Sequence, residues 1–178
     1  MIKKICSVII LAGVLLTSLV SCANGVKIDD PVTVNDVHMS SSNVARGFIQ
    51  SIFSEDETLF YACYPEGLYD DLIEAGNDPF AEYTGITDPN YKYYGTQYTA
   101  YNEYTEENGY DEAIMRENIA FFHELDESLI TEMDIVKLRV YFIEDKDYVS
   151  TDVYVITYKY ENSWYIYELQ NADAEFAA

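Results

Sequence analysis

Val136-Lys137-Leu138-Arg139-Val140-Tyr141-Phe142 sets apolar residues at every second position, with Lys137, Arg139 and Tyr141 between them. That period of two turns one face of a β-strand toward a core and the other away from it, whereas a helix would scatter the same residues around its circumference. Downstream, residues 144–147 make a turn, 148–160 a second strand and 164–169 a third. Glu161-Asn162-Ser163 between the last two is short enough for an antiparallel hairpin. Both faces of these two strands carry apolar or aromatic residues. One face is therefore expected to pack on helices, leaving the other for a cavity, a partner or a coat of tyrosine.

Upstream the period changes. Val44, Phe48, Ile49, Ile52 and Phe53 recur at helical spacing behind a cap at Ser42 or Asn43. Ser54-Glu55-Asp56-Glu57 has the spacing of a capping box, which predicts a second short helix carrying Leu59, Phe60 and Cys63 until Pro65 stops it. Residues 66–75 read as a third helix ended by Gly76, and 77–90 as a loop with Asp78-Pro79 and Asp88-Pro89 as turn signals. Tyr91, Tyr93, Tyr94, Tyr98, Tyr101 and Tyr104 then crowd together; Tyr94, Tyr98 and Tyr101 fit a helix, but β propensity favours a strand, the reading adopted. Asp111 can cap a further helix with Ile114, Asn118, Phe121, Phe122 and Leu125 along one side. Helices first and an antiparallel meander last make an α+β arrangement.

The N-terminus reads as an export signal. Lys3 and Lys4 precede an apolar run, residues 5–16, shorter than the roughly 20 residues that span a bilayer. At its end, Leu19-Val20-Ser21-Cys22 resembles the lipobox of bacterial lipoproteins. The resemblance implies cleavage just before Cys22, acylation of its sulfur, and anchoring to lipid on the extracytoplasmic side of the cell membrane. The organisation expected is a signal peptide over 1–21, lipidated Cys22 with a flexible tether over 22–42, a single domain over 43–170 and a tail over 171–178. As a free coil the tether would span roughly 25 Å. Val26, Ile28, Val32 and Val34 offer the alternative of an edge strand, and His38 is expected in solvent.

Ala45-Arg46-Gly47-Phe48-Ile49 through Phe53, then Asp56, Phe60 and Tyr64-Pro65, and finally Tyr160-Glu161-Asn162-Ser163-Trp164 resemble the NTF2-like (cystatin-like) lipoproteins of bacteria. That likeness implies N-terminal helices packed on a curved C-terminal antiparallel sheet, a cone whose open side holds a pocket or a dimer face. It implies no single activity, because function on such a fold resides in a grafted site.

Composition narrows the chemistry. The 178 residues suit one domain after processing, and 49 % hydrophobic residues supply a core. Ten basic residues face 32 acidic ones, net −22, and loss of Lys3 and Lys4 makes the mature chain more acidic still. A nucleic-acid partner would need a basic stripe, yet only Lys137 and Arg139 share a strand face. Cys6 and Cys22 lie outside the mature domain, so Cys63 has no disulfide partner and reads as a buried, inert thiol. His38 and His123 are the only histidines, no phosphate-cradling glycine loop or Gly-x-Ser-x-Gly elbow occurs, and the acidic clusters lack EF-hand spacing. No cofactor, metal or catalytic residue is expected. Tyr98, Tyr101, Tyr104, Tyr158 and Trp164 are the candidate binding surface, since aromatic rings offer a stacking face with a polar tip. The function expected is a noncatalytic module that binds a protein or small ligand, with a homodimer as one form. Its rivals are an enzyme using paired carboxylates and a self-associating envelope subunit.

Overall fold

The Ser40 hydroxyl accepts the Asn43 amide (3.1 Å) and starts helix α1 (Ser41–Ser54), so the cap lies two residues ahead of the first one expected. Glu55, in the left-handed region at φ 55°, ends α1, and Asp56 caps α2 (Glu57–Ala62) through the Leu59 amide at 3.0 Å. In this computed structural model, which describes residues 20–21, 26–84 and 90–170, two further short helices follow: α3 (Asp70–Glu74) and α4 (Pro79–Thr84). The latter lies where a loop was expected. Asp78 makes it, since its carboxylate accepts the Phe80 amide at 2.9 Å and the Tyr61 hydroxyl at 2.6 Å.

The sheet is antiparallel and open, with β2 (Lys92–Glu103), β3 (Ile130–Glu144), β4 (Asp147–Tyr160) and β5 (Ser163–Gln170) in that spatial order. A two-residue strand, β1 (Val20–Ser21), pairs with Ser150 and Val149 of β4. Two-residue turns of positive φ, Asp145-Lys146 and Glu161-Asn162, join β3 to β4 and β4 to β5, and their twist matches that of the strands. Between β2 and β3 comes α5 (Glu112–His123), capped by Asp111 on the Ile114 amide at 3.0 Å.

One face of the sheet carries the main core. Val136, Leu138, Val140 and Phe142 of β3, Val153 and Val155 of β4 and Trp164 and Ile166 of β5 close on Val44, Phe48, Ile49 and Ile52 of α1. Full burial of each such side chain stabilises by about 1.5–3 kcal/mol. The opposite face holds a second, smaller core of Ile119 from α5 with Ile130, Met133 and Tyr158. The fold is thus α+β with helices on both faces of the sheet.

The segment expected as a tether is docked from Ile28 onward. The Asp29 amide donates to the Thr96 carbonyl (2.9 Å) at the free edge of β2, and Ile28 lies so close to Gly95 that an added Cβ would meet it at 2.8 Å. The chain then crosses the back of α1, burying Val32 and Val37 in the main core, and reaches β5, where His38 Nδ1 hydrogen-bonds the Trp164 carbonyl (2.9 Å). The order here comes from α1. Asn43, Arg46 and Gln50, one helical stripe, hold the carbonyls of Asp36, Asp30 and Val32, and Gln50 also accepts the Val32 amide (2.9 Å). Polar side chains satisfy the backbone that a free coil would leave to water. Residues 28–39 therefore form a strap packed on the domain, and His38 is not solvated as expected.

Candidate functional site

Between the strap and α1 lies a shallow, open cleft of about 460 Å³. Asp29, Asp30 and Asp36 of the strap, Asn43 and Arg46 of α1 and Tyr98 of β2 line it. Tyr98 is held there by its own amide, which donates to Asp29 Oδ2 at 2.6 Å. Arg46 binds the Asp30 carbonyl through a terminal nitrogen, while its buried Nε lies 3.6 Å from Asp29 Oδ2 and makes no hydrogen bond. The cleft thus offers an aromatic face, a guanidinium ion-paired with Asp29 and three acceptor carboxylates. These are the groups that recognise hydroxyls and amines.

The five aromatic candidates divide. Tyr98 and Tyr101 are 36 % and 51 % exposed and share one face of β2, because a bulge between Tyr98 and Ala100 sets them opposite Leu138 and Val136. Tyr104 is half-buried, stacked on Tyr110 at 4.6 Å between ring centroids and packed on the second core. Tyr158 and Trp164 are buried, at 0 % and 8 % exposure, and are corrected from surface to core. Alternation along a strand does not reveal which of two apolar faces is covered, and here both are. Cys22 lies outside the described residues.

Sequence reasoning missed Arg46, Asn43 and the strap aspartates as site residues. A usable signal existed: Asn43, Arg46 and Gln50 lie on one helical face at spacings of three and four, a row of amide and guanidinium groups suited to capturing backbone. The tether reading concealed what that row holds.

Elsewhere, several titratable groups are buried. His123 shares a 2.6 Å hydrogen bond with the Tyr158 hydroxyl, and burial pulls its pKa down to about 4. Burial likewise pushes the Cys63 thiol far above its usual range. Asp134, buried on the α1 face, has its carboxyl raised by burial and by Glu132 and Glu103, against a hydrogen bond from Ser41 that lowers it. Its register partner on β2 is Glu103. On the other face, Lys137 and Arg139 both pair with Asp152, at 2.9 Å and 2.7 Å. Burial pushes the Asp152 carboxyl up, and the two cations outweigh it.

No protein-family model, curated protein or solved structure matches the chain. Its chemistry is read from its own residues.

Proposed function

We propose that this chain is a lipid-anchored, noncatalytic binding module of the bacterial envelope, held through Cys22 outside the cell membrane and taking a small hydroxyl- or amine-bearing ligand in the cleft under the strap. One observation carries the binding reading: the cleft brings Tyr98 together with the Arg46 guanidinium and with Asp29, Asp30 and Asp36. A saccharide presents an apolar ring face to a tyrosine and hydroxyls to carboxylates and guanidinium, which fits this lining. Anionic ligands meet three carboxylates and are disfavoured. The helix-then-meander order supports the NTF2-like (cystatin-like) reading of the fold, and Leu19-Val20-Ser21-Cys22 supports the anchor.

Isothermal titration of the full-length chain with neutral and amino oligosaccharides tests the cleft. Binding by one of these classes is expected, weakened about tenfold in Tyr98→Ala, the loss of roughly 1.4 kcal/mol of stacking and contact. Wild-type protein that binds neither class, or Tyr98→Ala that binds as well as wild type, would contradict it.

A second reading, an enzyme using paired carboxylates, rests on Asp134, whose raised carboxyl stands opposite Glu103 on the α1 face. Turnover of a glycoside that Asp134→Asn abolishes would establish it. Sugars bound and left intact would favour the noncatalytic reading.

A further inference from the structure

Three large apolar side chains of α5 face solvent. Ile114 and Phe121, seven residues apart and so on one side of the helix, are 56 % and 70 % exposed, and Phe122 beside them is 42 % exposed. The Phe121 and Phe122 rings meet edge to face, 5.3 Å between centroids. What α5 buries is Ile119 and His123. An amphipathic helix ordinarily turns its apolar stripe to a core, and a ridge of adjacent exposed aromatics marks an interaction surface. Leu129, in the turn after the helix, is also exposed at 38 %.

Charge around this ridge selects its occupant. Glu106, Glu107, Asp111, Glu117, Asp126 and Glu127 are all exposed on α5 and its flanking turns. The cation on the helix, Arg116, is engaged by Glu112 and by the Ile130 carbonyl. We infer that the ridge of Ile114, Phe121 and Phe122 is a docking surface for a protein segment that presents an apolar strip flanked by lysine or arginine. A second copy would bring two acidic rims together, and an anionic lipid surface would be repelled for the same reason.

Position agrees with this, on the reading that Cys22 carries the anchor. The strap meets β2 at Thr96, which is opposite Val140, whereas α5 packs near Ile130 and Met133 at the other end of β3. Ten residues of strand separate Val140 from Ile130, roughly 30 Å. The ridge therefore stands away from the end where the chain leaves for the membrane.

The test uses fluorescence anisotropy of the full-length chain in detergent with a labelled amphipathic leucine–lysine helix, and with a leucine–glutamate helix as control. Saturable binding of the lysine peptide alone is expected. Its affinity should fall at least about tenfold in Ile114→Ser/Phe121→Ser and again at about 1 M salt, where screening acts within roughly 3 Å. The double variant keeps every acidic residue, so equal binding to it would reduce the effect to nonspecific charge and overturn the inference. So would a wild-type chain that ignores the lysine peptide. Sedimentation showing a dimer that the double variant dissolves would assign the ridge to a second copy. Flotation with phosphatidylcholine vesicles, lost in that variant, would assign it to lipid. Neither readout involves Tyr98, so this result and the sugar titration fail independently.

Discussion

His123 and Gln50 carry the clearest consequences at the scale of single residues. His123 is neutral in the fold, with its pKa drawn from 6.5 to about 4 by burial alone, among Tyr158, Tyr64 and Tyr167. A base whose folded pKa is depressed contributes stability that is fully present above the unfolded value and is lost as pH falls toward the folded one. About 3 kcal/mol is therefore expected to disappear between pH 6.5 and 4. The raised carboxyls of Asp134 and Glu168 act in the opposite sense, because protonation relieves their burial. Urea unfolding of wild type and His123→Leu across that range isolates the histidine: the variant is less stable at pH 7, through the orphaned Tyr158 hydroxyl, and its loss of stability on acidification is smaller. Equal pH slopes would refute the assignment. Gln50→Ala leaves the Val32 amide and carbonyl without their partner and is expected to cost about 1–3 kcal/mol, read in the same unfolding experiment.

Among the elements, the strap and α5 are the two places where pattern and structure part. Gly95→Val puts side-chain atoms where Ile28 already lies, 2.8 Å from an ideal Cβ. Faster hydrogen exchange over residues 28–33 is expected, with the β3–β4 core unchanged; protection equal to wild type would show that Ile28 does not hold the strap. Ile114→Ser/Phe121→Ser should alter stability by no more than about 0.5 kcal/mol, since neither side chain is buried, and thermal melting checks this. The alternation of Val136 to Phe142 and the stripe of Val44, Phe48, Ile49 and Ile52 were legible because each pairs one periodic face with one core. Less legible were elements whose partners are distant in sequence. Val32 and Val37 look like isolated valines in a polar stretch until α1 supplies Asn43, Arg46 and Gln50 beneath them. On α5, the stripe from Ile114 to Leu125 was visible, but the face used for packing is Ile119 and His123, whose partner Tyr158 lies thirty-five residues further on from His123. Of the site, Tyr98 was legible as an exposed aromatic, as was its neighbour Tyr101 outside the cleft. Tyr158 and Trp164 were not separable from them, since a tyrosine-rich sheet with two covered faces gives the same composition as one with a bare face.

For the whole molecule, the docked strap changes what an anchor at Cys22 would do. Only residues 23–27 separate that cysteine from Ile28, where docking begins, a reach of at most about 22 Å. The domain would then ride close to the headgroups rather than on a long leash, with the strap cleft near the membrane and the α5 ridge away from it. Cleavage before Cys22 would also remove β1 while leaving the four-stranded sheet of β2 to β5 intact. With a net charge of −22 over the full chain, a domain held so near an anionic surface would need a covalent hold to remain there. The most direct measurement is therefore fractionation of cells expressing wild type and Cys22→Ser, with incorporation of a palmitate analogue followed in both. Wild type should label and sediment with membranes until detergent is added, and the variant should neither label nor leave the soluble or still-unprocessed fraction; a Cys22→Ser protein that is processed and sediments with membranes as fully as wild type would contradict the anchor.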